Sequence, residues 1–197
     1  MTAYNYDLYL IGVGGQGIGL LSEVLIRAID AAGLPVRGVD THGLAQRGGV
    51  VVSNIRVGSK AHAPIVSPGK ASICIALERS EALRGLNTHL ADRGTLVYYD
   101  CLWQPLGVRL GKAKPVENEL ISQECHSRGI TVIRVFEKDL PDTRMQNVAV
   151  LAHMASNGVV KGVSTSHFEQ ALTDLMTGKT LEANLALFRA IATSIKK

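Results

Sequence analysis

Apolar residues along the chain follow two spacings, one typical of buried strands and the other of amphipathic helices. Ile18, Leu21, Leu25 and Ile29 recur at helical spacing, and Gly33 marks the end of the predicted helix. Short runs rich in Val, Ile and Leu, bounded by Gly, Pro or polar residues, predict strands. The predicted strands cover residues 8–11, 36–39, 50–57, 71–77, 94–99 and 130–136.

The order of these elements predicts the fold class. Further helices are predicted over 78–90 and 117–129, so strands and helices alternate, as in a parallel sheet with helices on both faces. After Asp142 the pattern becomes helical, with one helix predicted up to Gly158, a second beginning at a capping box over 166–169, and a last helix after it. We therefore predict an α/β fold in one domain, 1–197: a doubly wound, mostly parallel sheet with a helical C-terminal third (Rossmann-like).

The segment 12–17, Gly-Val-Gly-Gly-Gln-Gly, joins the first predicted strand to the first predicted helix. Only glycine adopts positive φ easily and lets a ligand approach the backbone, and the first N–H groups of the following helix form an anion site. Gly12, Gly14 and Gly17 fit the dinucleotide fingerprint G-x-G-x-x-G, with Asp40 placed to bind a ribose. The same glycines suit any close strand-to-helix crossing, and Asp40 could instead accept backbone N–H bonds. The motif alone leaves both interpretations open.

A second glycine-rich segment, 40–49, is predicted to be a loop at the carboxyl end of the sheet. Within it, His42, Gln46 and Arg47 could supply a proton donor, an amide and a fixed cation, a set suited to a carboxylate or phosphate. The alternative is structural: Arg47 pairs with a surface acid, His42 bonds the backbone, and the glycines only turn the chain. These residues by themselves do not decide between the two.

Composition restricts the class of protein further. The 197 residues carry a formal charge of +4 without a basic block, which argues against a nucleic-acid surface. No apolar run approaches the ~20 residues needed to span a bilayer, and the N-terminal residues do not resemble a signal peptide, so we expect a cytoplasmic protein without membrane contact. Cys74, Cys101 and Cys125 form no C-x-x-C pair, and the histidines show no metal spacing. Any redox centre is therefore expected on another chain.

Taken together, the two glycine-rich motifs resemble a known family. Residues 12–18, combined with His-Gly-Leu-Ala-Gln-Arg-Gly-Gly at 42–49, resemble the gamma-type subunit of 2-oxoacid:ferredoxin oxidoreductases. The resemblance is closer to the small (beta) subunit of indolepyruvate:ferredoxin oxidoreductase, and Arg-Met-Gln-Asn-Val at 144–148 resembles a third family motif that contains an asparagine, here Asn147. Two positions differ: the family commonly has a Glu-type acid at Asp40 and a serine at Val50, so a hydroxyl is missing there.

The resemblance implies a non-redox subunit of an enzyme that converts an aryl 2-oxoacid and coenzyme A to an acyl-CoA, carbon dioxide and reduced ferredoxin. Thiamine diphosphate, Mg²⁺ and [4Fe-4S] clusters would belong to a large partner subunit, and this chain would hold no cofactor or catalytic residue of its own. An independent NAD(P)-dependent oxidoreductase and a nucleotide-binding module are the alternatives. The residues that the resemblance places near substrate or cofactor are Gly14, Gly15, Gln16, Gly17, His42, Gln46, Arg47, Gly48, Gly49 and Asn147.

Overall fold

The computed structural model describes residues 4–42, 49–103, 108 and 110–195, with His42 described by its backbone alone. Its six strands form one sheet in the order β2-β3-β1-β4-β5-β6. The strands are β1 (Tyr6–Val13), β2 (Val36–His42), β3 (Val50–Val57), β4 (Ala71–Ala76), β5 (Leu90–Tyr99) and β6 (Thr131–Val135). The helices are α1 (Ile18–Ala31), α2 (Arg79–Thr88), α3 (Asn118–Ser127), α4 (Gln146–Ser156), α5 (Thr165–Leu175) and α6 (Gly178–Ile195), with a 3₁₀ turn (Thr143–Met145) before α4.

Five strands run in the same direction, and β3 is antiparallel to both of its neighbours. This direction follows from the connection between β2 and β3, which is too short for the crossover that parallel strands require. As a result, Val50 at the start of β3 pairs with Val13 at the end of β1. We call this end of the sheet the carboxyl rim, and the opposite end, where Tyr6 and Ala71 begin their strands, the amino rim.

Helices cover both faces of the sheet because apolar side chains point alternately to either side. Leu8 and Leu10 pack in a core with α1 and the C-terminal helices, whereas Tyr9 and Ile11 pack in a second core with α2 and α3. The sheet is thus doubly wound and mostly parallel, which confirms the predicted fold class. No helix within the described parts of the chain has the length and apolar character to cross a membrane.

The segment 40–49 was predicted to be loop from its first residue, and this is wrong at its beginning. Strand β2 continues to His42 because its ladder with β3 continues as far as the pair His42 and Val51. The predicted strand 36–39 is therefore three residues too short. Pairing with a neighbouring strand overrides the weak strand propensity of Asp40.

Most other predicted elements differ from the structure by one or two residues at an end, and larger or more informative differences occur at α2, β5 and α5. Glu78 is the N-cap of α2 rather than a helical residue, and Leu90 begins β5 rather than ending α2. Strand β5 therefore begins four residues earlier than the predicted Gly94, because a β-bulge precedes the regular ladder. Helix α5 is capped by Ser164, with His167 as the reciprocal partner, so the capping box predicted over 166–169 is wrong. His167 Nδ1 accepts from the Ser164 N–H, a role that a Glu side chain usually has in a capping box.

Candidate functional site

The glycine turn at the carboxyl rim has the backbone geometry that its sequence predicts. Gly15 and Gly17 have φ angles of 102° and 84°, which side chains rarely adopt. The Gln16 N–H donates to the Val13 carbonyl over 3.0 Å and closes the turn. A Cβ at Gly15 would meet no atom within 4 Å, so the turn presents bare backbone at this position.

Gln16 fixes the turn to the sheet. Its side chain is 2% exposed, its Oε1 accepts from the Val13 N–H at 2.8 Å, and its Nε2 donates to the Leu77 carbonyl at 2.9 Å. The Gln16 amide thus links the end of β1 to the end of β4, because its oxygen and its nitrogen both bond to backbone groups of this chain. Gln16 was predicted as a ligand contact; in the structure its amide holds the turn in place.

The two glycine-rich motifs meet at the carboxyl rim. The Gly14 N–H donates to the Gly49 carbonyl over 2.8 Å, at the position where β1 pairs with the start of β3. The backbone of His42 lies two strands away from β1, opposite Val51. Gln46, Arg47, Gly48 and the His42 side chain lie outside the described residues, so their predicted contacts stay predictions.

The third predicted motif also reaches the turn. Asn147 is 3% exposed on α4, and its Oδ1 accepts from the Val148 N–H at 2.8 Å. Its Nδ2 would lie 2.7 Å from a Cβ added at Gly17, closer than real Cβ contacts allow. Gly17 is therefore required twice, once for its left-handed φ and once for the space that Asn147 occupies.

The N-terminus of α1 faces this turn without a cap. Its N-cap is Gly17, no side chain within the described ranges accepts from its first N–H groups, and its first turn contains no acid. The first intrahelical bond runs from the Leu21 N–H to the Gly17 carbonyl at 3.0 Å, so the N–H groups of Ile18, Gly19 and Leu20 have no intrahelical acceptor. Such a helix end favours a carboxylate or phosphate group.

Asp40, the predicted ribose acceptor, bonds to two hydroxyl groups. Its Oδ1 accepts from Ser22 on α1 at 3.0 Å and from Ser53 on β3 at 2.5 Å. Both serines are buried, at 1% and 0% exposure. The carboxylate therefore ties α1 to strands β2 and β3. The alternative suggested by the sequence, that Asp40 accepts backbone N–H groups of the loop, involves residues outside the described ranges and stays a prediction.

The sequence analysis missed a buried acid beside the turn. Glu78 follows Leu77 at the end of β4, is fully buried, and caps α2 by accepting the Glu81 N–H at 2.5 Å. Burial raises the pKa of Glu78, and burial together with the neighbouring Glu78 charge raises the pKa of Glu81. A polar residue directly after a buried strand was the available signal, since such positions lie at the carboxyl rim.

A second missed acid, Asp100, follows β5 at the same rim. Its carboxylate pairs with Arg79, accepts from Arg134 Nε at 2.6 Å and from Asn118 Nδ2 at 3.1 Å. Burial alone would raise the pKa of Asp100, but these three donors together hold it below its usual value. The hub joins α2, α3 and β6 to the end of β5, so we assign it a structural role.

The thiols do not fit an iron–sulfur cluster. Cys74 and Cys125 are buried, and burial raises the pKa of Cys101 to about 12 and that of Cys125 to about 11, whereas cluster ligands are thiolates. Across the described ranges, no three His, Cys, Asp or Glu side chains are grouped to hold a metal ion. Cys101 instead donates to the Leu77 carbonyl at 3.3 Å, beside Gln16.

Two solved structures of similar shape are oxoacid ferredoxin oxidoreductases or subunits of them. The gamma subunit of a keto/oxoacid ferredoxin oxidoreductase from Geobacter sulfurreducens aligns with a TM-score of 0.65 at 18% identity, over 97% of this chain and 98% of that one. The 2-oxoglutarate:ferredoxin oxidoreductase from Magnetococcus marinus aligns with a TM-score of 0.69 at 16% identity, over 98% of this chain but 32% of that longer chain. At these identities the likeness shows the fold alone.

Sequence comparison shows the family. Residues 7–193 match the family described as pyruvate ferredoxin/flavodoxin oxidoreductase. The indolepyruvate oxidoreductase subunit IorB of Archaeoglobus fulgidus is 33% identical over 91% of this chain and 90% of its own length. Its counterpart in Methanothermobacter thermautotrophicus is 42% identical over 82 residues, which are 42% of this chain and 41% of the relative. The chain therefore belongs to the pyruvate ferredoxin/flavodoxin oxidoreductase family.

Proposed function

We propose that this chain is the small, non-redox subunit of an indolepyruvate-type 2-oxoacid:ferredoxin oxidoreductase, a single domain that is inactive alone. The observation that carries the proposal is the hydrogen bond from Gly14 to Gly49, because it joins the two motifs of the family resemblance in one place. The full-length similarity to the Archaeoglobus subunit supports the choice of an aryl 2-oxoacid as substrate.

The proposed division of labour places thiamine diphosphate, Mg²⁺ and the [4Fe-4S] clusters on a large partner subunit, which passes electrons to ferredoxin. When bound, thiamine diphosphate would stabilise the negative charge that loss of carbon dioxide leaves on the oxoacid. The described residues contain no group of three His, Cys, Asp or Glu side chains that could hold a metal ion, which supports placing the clusters elsewhere. The three free cysteines also fit a reducing compartment, and we propose that the enzyme works in the cytoplasm.

In the assembled enzyme, the carboxyl rim of this chain would face an anionic part of coenzyme A, the thiamine cofactor or the oxoacid. The uncapped N-terminus of α1 would bind that group through its N–H groups, and Gln16 would act as a positioning residue beneath it. The bare backbone at Gly15 supports this arrangement, since it lets a ligand approach closely. His42, Gln46, Arg47, Gly48 and Asn147 complete the proposed site.

Purification from the native source tests the assembly. A tag on this chain should recover a large iron-containing and thiamine-containing partner, and the complex should oxidise indolepyruvate with coenzyme A and ferredoxin while neither chain does so alone. Recovery of this chain without such a partner would contradict the proposal. Full activity of the large subunit by itself would contradict it equally.

Two measurements test the site itself. Arg47→Ala is expected to leave the isolated chain folded by circular dichroism and to lower the turnover of the assembled enzyme at least tenfold, with Arg27→Ala on α1 as the matched surface control. Titration of the isolated chain with NADH is expected to show no fluorescence change at micromolar concentrations. Tight NADH binding would instead support the independent dehydrogenase.

A further inference from the structure

Two cavities adjoin each other at the amino rim, on the opposite end of the sheet from the glycine turn. Their volumes are about 410 Å³ and 470 Å³, which is within the size range of small-molecule sites. Asn5, Tyr6 and Ser72 line both of them and form their shared wall. The two cavities therefore lie side by side below the starts of β1 and β4, and we refer to them together as the depression.

Cations outnumber acids in this depression. Arg56, Lys60 and Lys70 line the first cavity, and Arg93 and Lys161 line the second. Both acids that line the depression are already paired. Asp7 accepts from Arg56 Nε at 2.9 Å, and Asp92 accepts at 2.7 Å from Arg128, which is outside both cavities.

Because Asp7 pairs with Arg56 and Asp92 pairs with Arg128, no acid of the lining is left to neutralise the other cations. These cations are Lys60, Lys70, Arg93 and Lys161. Two of the three Arg56 nitrogens already donate within the protein: Nε to Asp7, and Nη1 to the Ala63 carbonyl at 3.2 Å. Converging cations with a polar wall are the arrangement that binds phosphate or carboxylate groups.

The backbone at Arg93, on the wall of the second cavity, has an unusual conformation. Arg93 has a φ of 61° and is the sole non-glycine residue with positive φ among the residues described. The angle occurs in a β-bulge: Ala71 pairs with Leu90 and Ile73 with Thr95, so β5 advances five residues while β4 advances two. Residues in such conformations concentrate at functional sites.

Arg128 holds the bulge in place. Its guanidinium donates to the Leu86 carbonyl at 2.7 Å and the Leu90 carbonyl at 2.5 Å, and its own carbonyl accepts from the Arg93 N–H at 3.0 Å. On the other wall, the Tyr6 hydroxyl donates to the Lys161 carbonyl at 2.9 Å. The backbones that carry Arg93 and Lys161 are thus fixed before any ligand binds.

From these observations we propose that the amino rim is a second binding site, for a small molecule with several anionic groups such as a polyphosphate. One end of the ligand binds beside Lys60 and Lys70, the other beside Arg93 and Lys161, and Tyr6 lies between them. This site is separate from the glycine turn and does not depend on the proposed enzymatic function.

Calorimetric titration of the full chain with inorganic tripolyphosphate tests the proposal at 0.15 M salt. Tripolyphosphate should bind at least tenfold more tightly than orthophosphate, because it carries more negative charge and can contact several of these cations at once. Lys70→Ala and Arg93→Gly should each weaken tripolyphosphate binding at least tenfold. Glycine adopts the backbone conformation of residue 93 without strain, so this variant removes the guanidinium and keeps the bulge.

Two control variants make the test decisive. Lys179→Ala removes one positive charge from exposed α6 and should change binding less than twofold, whereas an equal loss would mean non-specific attraction and overturn the proposal. Gly19→Asp adds a negative charge at the N-terminus of α1 and should also have little effect. Loss of binding in Gly19→Asp but not in Arg93→Gly would place the anion at the glycine turn. That result, or the absence of binding, would overturn the proposal.

Discussion

Two residues with positive φ, one at each rim of the sheet, are opposite in kind. Gly17 at the carboxyl rim packs against Asn147, and Arg93 at the amino rim lines a cavity. At Gly17 a Cβ has no room, so packing selects glycine. At Arg93 there is room for a side chain, and the strain is tolerated because hydrogen bonds hold the bulge. The comparison shows that a positive φ angle alone does not reveal which constraint selects the residue at that position.

The largest effect is expected at Gly17. Gly17→Ala should lower the free energy of unfolding by about 3 kcal/mol, because a Cβ adds a clash with Asn147 to the strain of a left-handed backbone. Gly15→Ala is the matched control, since it meets only the strain and should lose about 1 kcal/mol. Chemical denaturation measures both, and equal losses would show that Asn147 does not restrict the turn.

Removal of the Gln16 amide should have the next largest effect. Gln16→Ala leaves the buried Val13 N–H and Leu77 carbonyl without this partner, at a cost of about 2 kcal/mol in the free energy of unfolding. Gln16→Glu retains an acceptor for Val13 but loses the donor to Leu77. It should therefore be destabilised as well, and a fully stable Gln16→Glu protein would mean that the bond to Leu77 is dispensable.

At the amino rim, replacement of Arg93 by glycine should cost little stability, whereas replacement by alanine should destabilise the protein. Arg93→Gly should change the free energy of unfolding by less than about 0.5 kcal/mol, because relief of backbone strain offsets the added freedom of the unfolded chain. Arg93→Ala keeps the strain and should be about 1 kcal/mol less stable than Arg93→Gly. Thermal and chemical unfolding of the pair measures this difference, and the reverse order would show that Arg93 is not strained.

The smallest effect expected is a pH dependence from the buried acid at the carboxyl rim. Burial raises the pKa of Glu78, so the folded state binds this proton more readily than the unfolded state does. The protonated Glu78 therefore stabilises the folded state fully at pH values below the pKa of Glu78 in the unfolded chain. This contribution is lost as the pH rises through the pKa of Glu78 in the folded protein. Glu78→Gln should reduce this loss as the pH rises above about 4.5, whereas Glu23→Gln, at an exposed position of α1, should not reduce it. Identical pH profiles for Glu78→Gln and wild type would contradict the assignment.

Local sequence was sufficient for the elements that form the proposed site. Strand β3 was predicted with its observed bounds, and the apolar spacing from Ile18 to Ile29 predicted α1. The family resemblance through the two glycine-rich motifs is confirmed by the match over residues 7–193. These predictions succeeded because strand and helix periodicity, and the need for glycine at positive φ, act over a few neighbouring residues.

Contacts between residues far apart in the chain decided the rest. That Gln16 bonds Leu77, that Asn147 occupies the space beside Gly17, and that Asp40 accepts two serines all depend on strand order and helix packing. The bulge at Arg93 depends on its pairing with β4, and no pattern within 90–95 predicts it. Sequence determined the elements and the motifs, because these follow from short-range sterics. Tertiary structure determined which polar groups are buried and satisfied by the chain itself, because burial exists only once the layers have packed.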